Sequence, residues 1–392
     1  MFKNLQPLFT IIKREIDWMI SRWVYWFLTI VGPLLGFALV IGIFHQGVVR
    51  ELPITVIDQD QTKTSRQITR MIDATSIASV NSSCADMAQA QNQMYDGKTQ
   101  AIIVIPQNLE QGLYQNAQPD IIVYINNANI LKGGLLKSGI YKAISTFSSG
   151  IKVQMAIKKG ENYQKALSEA RPVILDTHVL FNPYNNYFYF LATALMPVIL
   201  IVFTLLSAIY SLGYELKNAT SEAALKKANN SIVVLTIGKL LPYTVLFFIQ
   251  ALIFNYLIFG YMDMPLTGSY SILMISELLL IIAYQFLAVF MVGILGNLRL
   301  SVSIGSAYSM MALTFSGLTF PEFGMPLIAR GFGQLFPLSY WLKVFTGQTL
   351  RADPLSVSLI NMCYLIIFIL MGIVCLHWLK MKYKHEKYWS KN

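Results

Sequence analysis

Residues 23–44 read WVYWFLTIVGPLLGFALVIGIF, an apolar run without a charged side chain. A hydrocarbon core about 30 Å thick is crossed by about 20 helical residues, so this run can span a membrane. The chain is polar or mixed up to residue 186, and five more apolar runs follow at 187–211, 232–259, 271–297, 301–320 and 356–379. The spacing predicts an α-helical polytopic membrane protein of six transmembrane helices, with one large domain inserted after the first.

The composition agrees with a membrane protein. The mean hydropathy is +0.52, and only 13% of the residues are charged, whereas soluble domains carry about a quarter. Such a chain has too few charges to cover the surface of a soluble globule, so a bilayer must supply part of its solvent.

The placement of the basic residues explains the net charge of +10. Outside the region 46–184, most of them precede the first span, lie between the second and third or the fourth and fifth spans, or belong to the tail 380–392. All these clusters fall on one side of a six-span protein, and the loop 260–270 on the other side has no Lys or Arg. The positive-inside rule therefore predicts that both termini are cytoplasmic and that residues 46–184 lie outside. The basic charge is thus a sign of topology, and we expect no nucleic-acid partner.

The residues before the first span have helical spacing. Apolar side chains recur at three- and four-residue steps, at Leu5, Leu8, Phe9, Ile12, Ile16 and Met19. Lys13, Arg14 and Asp17 lie on other faces, which is typical of a helix in the membrane interface. We expect a cytoplasmic amphipathic helix over 1–22 and the first transmembrane helix over 23–45, with a soluble lead-in as the alternative. The long apolar run lacks a small-residue cleavage site, so we expect no cleaved signal peptide.

The inserted region 46–184 has the pattern of a mixed α/β domain. Extended, β-branched runs predict strands at 52–58, 77–80, 101–105 and 121–125, with helices between them. Residues 131–170 predict one or two long helices that end at Arg171 and Pro172. Cys84 is the one cysteine of this region, so no disulfide can form within it.

The sequence contains no enzymatic motif. The four histidines are scattered, and HExxH, paired CxxC and GxSxG motifs are absent, which argues against the common zinc and serine hydrolase sites. A GxxxxGK[ST] phosphate-binding loop is absent as well. We expect no catalytic residue, metal site or cofactor site in this chain; if ATP with Mg drives the protein, another subunit binds them.

The segment after the fifth span is dense in proline and glycine. It contains SGLTFP at 316–321, MP at 325–326 and FPLSY at 336–340. Proline removes a backbone donor and clashes with the preceding turn, so this stretch must break into short pieces. Such backbone is tolerated at membrane depth only where protein or water satisfies it, which favours a re-entrant outer segment over 321–350. An ordinary outer loop with helices on the membrane surface is the alternative.

This segment resembles the ABC-2 type permeases, the membrane subunits of ABC exporters. That family has SG-x-x-x-P after its fifth span, then MP, then NP-L-T/S and a later Arg. The chain matches at Ser316, Gly317, Pro321, Met325, Pro326, Pro337, Leu338, Ser339 and Arg351, and Phe336 replaces the usual Asn. The similarity covers essentially the whole chain and favours the subfamily with a large extracytoplasmic domain between spans one and two. It implies an ABC-2 (type V exporter-like) fold.

A second resemblance lies in the loop between spans two and three. The family has an acidic start, then GT-x-E-x-L, TP and GK. The chain keeps this order at Glu215, Glu222, Leu225, Gly238 and Lys239, but lacks the Gly-Thr and Thr-Pro pairs. The segment 214–230 is charged and Ala-rich, which suits a coupling helix that docks in a groove of a separate ATPase. A plain solvated connector is the alternative.

Glu277 is the ionisable group of most interest within the spans. A carboxylate in hydrocarbon costs a few kcal/mol, so intramembrane acids usually face a bundle interior or a cavity. Asn255, Tyr284 and Gln285 could line the same polar face as part of a transport pathway. Glu277 could also reach the outer interface, and the other three could simply pack helices.

The resemblance implies the permease subunit of an ATP-driven exporter in a bacterial plasma (inner) membrane. Spans two to six occupy 185–379, and a second copy or a similar permease would complete the pathway. Two ATPase subunits would bind ATP and Mg, and a periplasmic adaptor is a further candidate partner. The large outer domain favours a hydrophobic small molecule, drug or lipid as substrate. A non-transporting receptor whose external domain binds a ligand or partner is the competing hypothesis.

Overall fold

A computed structural model describes residues 6–115, 117–171, 173, 176–180, 182 and 186–388. The described residues form two compact units. Val48–Val179 is one unit, and the described parts of Met1–Gly47 and Leu180–Asn392 form the other.

Two helices open the chain. Helix α1 is Gln6–Ser21, and helix α2 is Trp23–Phe44 with a wider π turn at Phe27–Val31. Arg22 separates them with an extended backbone, φ −125° and ψ 123°. A helix therefore precedes the first apolar span, as expected, and its buried face is described with the site below.

The unit Val48–Val179 is built on a four-stranded sheet. In chain order its elements are β1 (Leu52–Asp58), α3 (Lys63–Asp73), β2 (Ala78–Ser83), α4 (Met87–Tyr95), β3 (Ala101–Ile105), α5 (Leu109–Tyr114), β4 (Ile122–Ile125), α6 (Ile130–Lys158) and α7 (Tyr163–Ala170). The strand order is β2-β1-β3-β4. Strand β1 pairs in parallel with β2 and β3, and β3 pairs antiparallel with β4.

The alternation of β1 and β3 gives the sheet two buried faces. Ile54, Val56, Ile103 and Ile105 face a core that also contains side chains of α3, α5 and α6. Their neighbours Ile57 and Ile102 pack with Ala90 of α4 on the other face. Because successive strand side chains point to opposite faces, an uninterrupted apolar run is what a strand covered on both sides requires.

The other unit continues with helices after residue 187. They are α8 (Phe188–Lys217), α9 (Ser221–Lys227), α10 (Ile232–Tyr261), α11 (Tyr270–Leu295), α12 (Leu298–Phe315), α13 (Leu327–Gly333), α14 (Pro337–Thr346) and α15 (Leu355–Lys384). Within the described residues, five helices are long and apolar enough to cross a membrane: α2, α8, α10, α11 and α15.

The predicted fifth span, 301–320, differs from the others in the structure. Helix α12 has 18 residues, from Leu298 to Phe315, and it is not among the five apolar helices. Serines at 301, 303, 306 and 309 dilute its apolar content, and the chain bends from Ser316 onward. At 1.5 Å per residue the helix measures about 27 Å. By length and composition, five of the six predicted spans are therefore found among the described residues.

Helix α11 forms the centre of this unit. It packs along α15 and α8, and α12 packs on α8. The contact with α15 is close, because a Cβ at Gly372 would lie 2.4 Å from the carbonyl oxygen of Phe286. Such approach of two helix backbones needs a residue without a side chain at the crossing.

Candidate functional site

Four charged side chains meet where α1, α8 and α10 come together. Lys239 Nζ lies 2.7 Å from Glu15 Oε2 and 3.0 Å from Glu215 Oε1. Arg14 binds Glu215 with both guanidinium nitrogens, at 3.0 Å and 3.1 Å. We call Arg14, Glu15, Glu215 and Lys239 the four-charge cluster. Its two positive and two negative charges sum to zero.

Hydroxyl groups complete the partners of the two carboxylates. Ser211 and Tyr243 donate to Glu15 Oε1 at 2.6 Å and 2.8 Å, and Thr220 donates to Glu215 Oε2. Every oxygen of the two carboxylates therefore has a partner. Glu15, Glu215 and Lys239 are at most 1% exposed, so the charges could be buried only with this degree of compensation.

The buried face of α1 explains how its charges reach the cluster. Ile11 and Glu15, one helical turn apart, are both 1% exposed, whereas Phe9, Ile16 and Ile20 are exposed. Opposite them, a Cβ at Gly238 would lie 2.9 Å from Ile11, so glycine lets α1 approach α10 closely. Helix α1 thus buries one carboxylate against the bundle and leaves apolar side chains on its outer face.

Aromatic rings surround the basic groups of the cluster. The Arg14 guanidinium lies 4.1 Å from the centre of the Trp18 ring, and Lys239 Nζ lies 5.1 Å from it. Arg22 lies over both Trp18 and Tyr214, at 4.4 Å and 4.3 Å. Cations over aromatic faces gain about 0.5–2 kcal/mol, and more when water is excluded. The rings therefore hold the junction of α1 and α2 against α8.

The predicted coupling helix over 214–230 is wrong in its bounds. Residues up to Lys217 belong to α8, and α9 comprises only Ser221–Lys227. Ala219 between them has a left-handed backbone, φ 56°, which interrupts any single helix because L residues rarely adopt it. The helix of the second span therefore continues past the predicted end at residue 211 to Lys217, and the charged helix after it is shorter than predicted.

The residues of the predicted coupling set have different environments. Glu215 and Lys239 lie inside the four-charge cluster, and Gly238 lies against α1. Leu225 is 1% exposed, whereas the Glu222 side chain is 44% exposed and pairs with Lys226 at 2.8 Å. Only Glu222 of this set therefore offers a charge at the surface.

Sequence reasoning did not identify Glu15, the carboxylate that α1 contributes to the cluster. Arg14 was expected on a polar face, whereas it pairs inward with Glu215. The available signal was the position of Glu15, four residues after Ile11 and three after Ile12, within the apolar stripe of α1. A carboxylate in the middle of an apolar stripe indicates a buried partner.

The segment over 321–350 is broken into short helices, and its two halves differ. In the first half, a 3₁₀ turn at Glu322–Gly324 precedes α13, and Phe323, Leu327 and Ile328 are more than 80% exposed. Of the motif residues there, Ser316 is buried, Gly317 and Met325 are half-buried, and Pro321 and Pro326 are exposed. The first half therefore has the exposed apolar side chains of a surface helix.

The second half is packed inside the unit. Pro337 begins α14, and Pro337, Leu338 and Ser339 are buried, as is Trp341. Helix α14 packs on α11 and α15. Arg351 follows the helix and pairs with Asp353 at 2.8 Å. The surface-helix alternative thus fits the first half, and an element enclosed by protein fits the second.

A polar junction that the sequence did not reveal closes this segment. Gln348, 1% exposed, donates to the Asp353 carbonyl oxygen and the Ser358 hydroxyl at 2.8 Å and 2.9 Å. Its own oxygen accepts from the Ser269 backbone N–H at 2.8 Å. This one amide joins the loop before α11, the turn after α14 and the start of α15.

The four predicted pathway residues do not share one face. Asn255 Nδ2 donates to Glu277 Oε2 at 2.8 Å, and Gln285 accepts from Thr244 at 2.8 Å, two helical turns further along α11. Tyr284 instead faces α12, where its ring meets Tyr308. Tyr284 and Gln285 thus contact different helices, as neighbouring residues that point about 100° apart on a helix can do, and a role of the four residues in a pathway stays a prediction.

Asn255 and Glu277 are both 1% exposed, so Glu277 does not reach the surface. Among the described residues, Glu277 Oε1 and Asn255 Oδ1 have no hydrogen-bond partner. The described cavities do not reach this pair. We call it the Asn255–Glu277 pair.

Comparison with known families identifies the family of the chain. The family model of the ABC-2 family transporter proteins matches residues 23–376. The chain therefore belongs to the ABC-2 family, and it is a multi-pass membrane protein that corresponds to the permease of an ABC transporter. No curated protein and no solved structure matches the chain significantly. Permeases of this family work with an ATPase partner, and the family gives no support to the receptor hypothesis.

Proposed function

We propose that the chain is the permease subunit of an ATP-driven exporter in a bacterial plasma membrane. Two copies of a separate ATPase bind ATP and Mg, and a second permease copy completes the pathway. Both termini face the cytoplasm, residues 46–184 lie outside, and the substrate is a hydrophobic small molecule, drug or lipid-like compound. A periplasmic adaptor remains a candidate partner in this proposal.

The four-charge cluster is the observation that supports ATP coupling. Helix α9 contacts α1, α8, α10 and α15, and its Ser221 hydroxyl donates to the carbonyl oxygen of Tyr383 in α15. Its Leu225 side is buried, while Glu222 and Lys226 form an exposed charged side. A force on that exposed side would pass into helices that the cluster binds together.

The cluster suits this role because it resists separation. Pulling α1 away from α8 or α10 would leave buried charges without partners, at about 3–5 kcal/mol for each broken pair. The helices at this end therefore move as one body. In the proposal, closure of the ATPase subunits pushes α9, and α1, α8 and α10 tilt together to open the pathway.

A charge reversal tests the proposed docking side. The full-length chain is purified with its ATPase from native membranes in mild detergent, and vanadate-sensitive ATP hydrolysis is measured per permease. Glu222→Arg should reduce ATPase recovery or hydrolysis at least tenfold, since it reverses the exposed charge of α9. Glu386→Arg is the matched control, because Glu386 is exposed in the turn after α15, and it should behave as wild type.

The unfolding midpoint of each variant shows whether a loss of ATP hydrolysis comes from lost coupling or from a folding defect. Both variants should keep the wild-type unfolding midpoint, because Glu386 is exposed and the Glu222 side chain is 44% exposed. Wild-type hydrolysis in Glu222→Arg, or absence of any ATPase with the wild-type chain, contradicts the proposal. Accumulation of a hydrophobic dye in cells with Glu222→Arg, and not with Glu386→Arg, would support export as the direction.

A further inference from the structure

A polar crevice lies at the carboxyl edge of the sheet in the unit Val48–Val179. It measures about 520 Å³ and is lined by the segment after β1 and the segment after β3 with α5. Strands β1 and β3 are adjacent and parallel, so their carboxyl ends meet at this edge. The crevice is within the 300–1,000 Å³ range of small-molecule sites.

The strand order makes this edge a place where a crevice is expected. The chain leaves β1 toward β2 on one side and leaves β3 toward β4 on the other, in the order β2-β1-β3-β4. Ligands of open α/β sheets bind outside the carboxyl ends of the strands, where the connections diverge in this way. The order 2-1-3 places that point between β1 and β3.

Two carboxylates of the crevice are held in fixed directions. Asp60 accepts from the Thr62 hydroxyl and the Glu110 backbone N–H through Oδ2, at 2.6 Å and 3.2 Å. Glu110 accepts from the Thr64 hydroxyl through Oε1 at 2.7 Å. The second oxygen of each carboxylate has no hydrogen bond or ion pair among the described residues. Each acid thus presents one fixed, free acceptor.

The remaining lining adds amides and one aromatic ring. The side chains of Gln59, Gln107, Asn108 and Gln111 line the crevice, and within the described chain no hydrogen bond holds their amides. The Tyr114 ring is 61% exposed beside them. Each amide can donate and accept. Lys158 Nζ lies over the Tyr114 ring, 5.5 Å from its centre, and the exposed part of the ring offers an apolar surface.

We propose that this crevice binds a hydroxyl-rich ligand, a neutral or amino sugar or a sugar headgroup. Sugar hydroxyls can donate to the two fixed carboxylates, exchange hydrogen bonds with the amides, and place their C–H face on Tyr114. The lining contains two carboxylates and no Lys or Arg, which favours a neutral or amino ligand over an anion. Among the described residues there is no group of three or more His, Cys, Asp or Glu side chains that could hold a metal ion.

A glycan array with the full-length protein in nanodiscs tests the assignment. The array carries neutral, amino and anionic glycans, and the affinity for the best ligand is then measured by calorimetry. Gln111→Ala/Tyr114→Ala should weaken binding at least tenfold. The matched control is Gln91→Ala/Tyr95→Ala, because these exposed residues lie on α4, which packs on the opposite face of the sheet.

Asn108→Gly is a second test of the crevice, and it leaves the side chains of α5 unchanged. Asn108 has a left-handed backbone, φ 58°, which glycine adopts without strain, so only the amide is lost and binding should weaken. Binding of neutral or amino glycans that both crevice variants reduce supports the proposal. Binding of anionic glycans alone, no binding on the array, or binding unchanged in the crevice variants overturns it. The result is independent of ATP coupling, since Glu222→Arg should bind glycans as wild type does.

Discussion

The four-charge cluster and the Asn255–Glu277 pair are both polar groups buried in the helical unit, yet they are satisfied to different degrees. In the cluster, every carboxylate oxygen has a partner, and two cations balance two anions. In the pair, one carboxylate has one amide donor, and one oxygen on each residue is left without a hydrogen bond.

Because of this difference, the cluster is a rigid junction, whereas the pair is a site that tolerates substitution. Removing any member of the cluster leaves another buried charge unbalanced, so the helices it joins stay together. Changing a member of the pair disturbs one hydrogen bond, which contributes about 0.5–1.5 kcal/mol net. The cluster therefore resists separation of its helices more strongly than the pair does.

Loss of the central cation should have the largest effect. Lys239→Met leaves Glu15 without a cation, so the free energy of unfolding should fall by about 3–5 kcal/mol. Tryptophan fluorescence during thermal unfolding in detergent measures the change. Lys239→Met/Glu15→Gln should recover much of the loss because it removes the unpaired charge. A single variant as stable as the wild type would show that the cluster does not hold these helices.

The same chemical change at two glutamates sharpens the comparison. Glu215→Gln should cost about 3 kcal/mol because Arg14 and Lys239 lose their shared anion. Glu277→Gln keeps a group that can accept from Asn255, so it should change stability by less than about 1 kcal/mol. Both values come from the same unfolding measurement, and equal losses would contradict the distinction drawn between the two regions.

Removal of the amide from the pair should have a moderate effect. Asn255→Leu leaves Glu277 without its donor and should cost about 1–3 kcal/mol, the penalty for an unsatisfied buried polar group. Asn255→Leu/Glu277→Leu should be close to wild type, because both polar partners are then gone. A double variant less stable than Asn255→Leu alone would indicate a further partner for Glu277.

The exposed ion pair of α9 should contribute least to stability. Glu222→Ala removes the pair with Lys226, which is exposed and one turn apart on the helix, so the change should be below about 0.5 kcal/mol. A larger shift of the unfolding midpoint would mean that α9 is held through this side. Its value in the proposed function lies in docking, which the ATPase measurement tests separately.

The sequence predicted the helices and strands well where the apolar residues followed one clear pattern. Strands β1 and β3 begin and end where the sequence predicted, since an unbroken run of β-branched and apolar residues fits a strand covered on both faces. The prediction was weaker near Lys217, where charged residues suggested a surface helix. There the structure continues α8 and buries Glu215, because counter-charges from elsewhere in the chain make burial possible.

The sequence by itself determined that the chain crosses a membrane, where the long apolar helices lie, and that no phosphate-binding loop is present, because these features depend on runs of neighbouring residues. Only the tertiary structure decided which polar groups are buried together. Lys239 and Glu15 are 224 positions apart, and Gln348 reaches Ser269 across 79. Neither pairing has a local pattern, since it arises when packed helices exclude water and bring together charges and amides from distant parts of the chain.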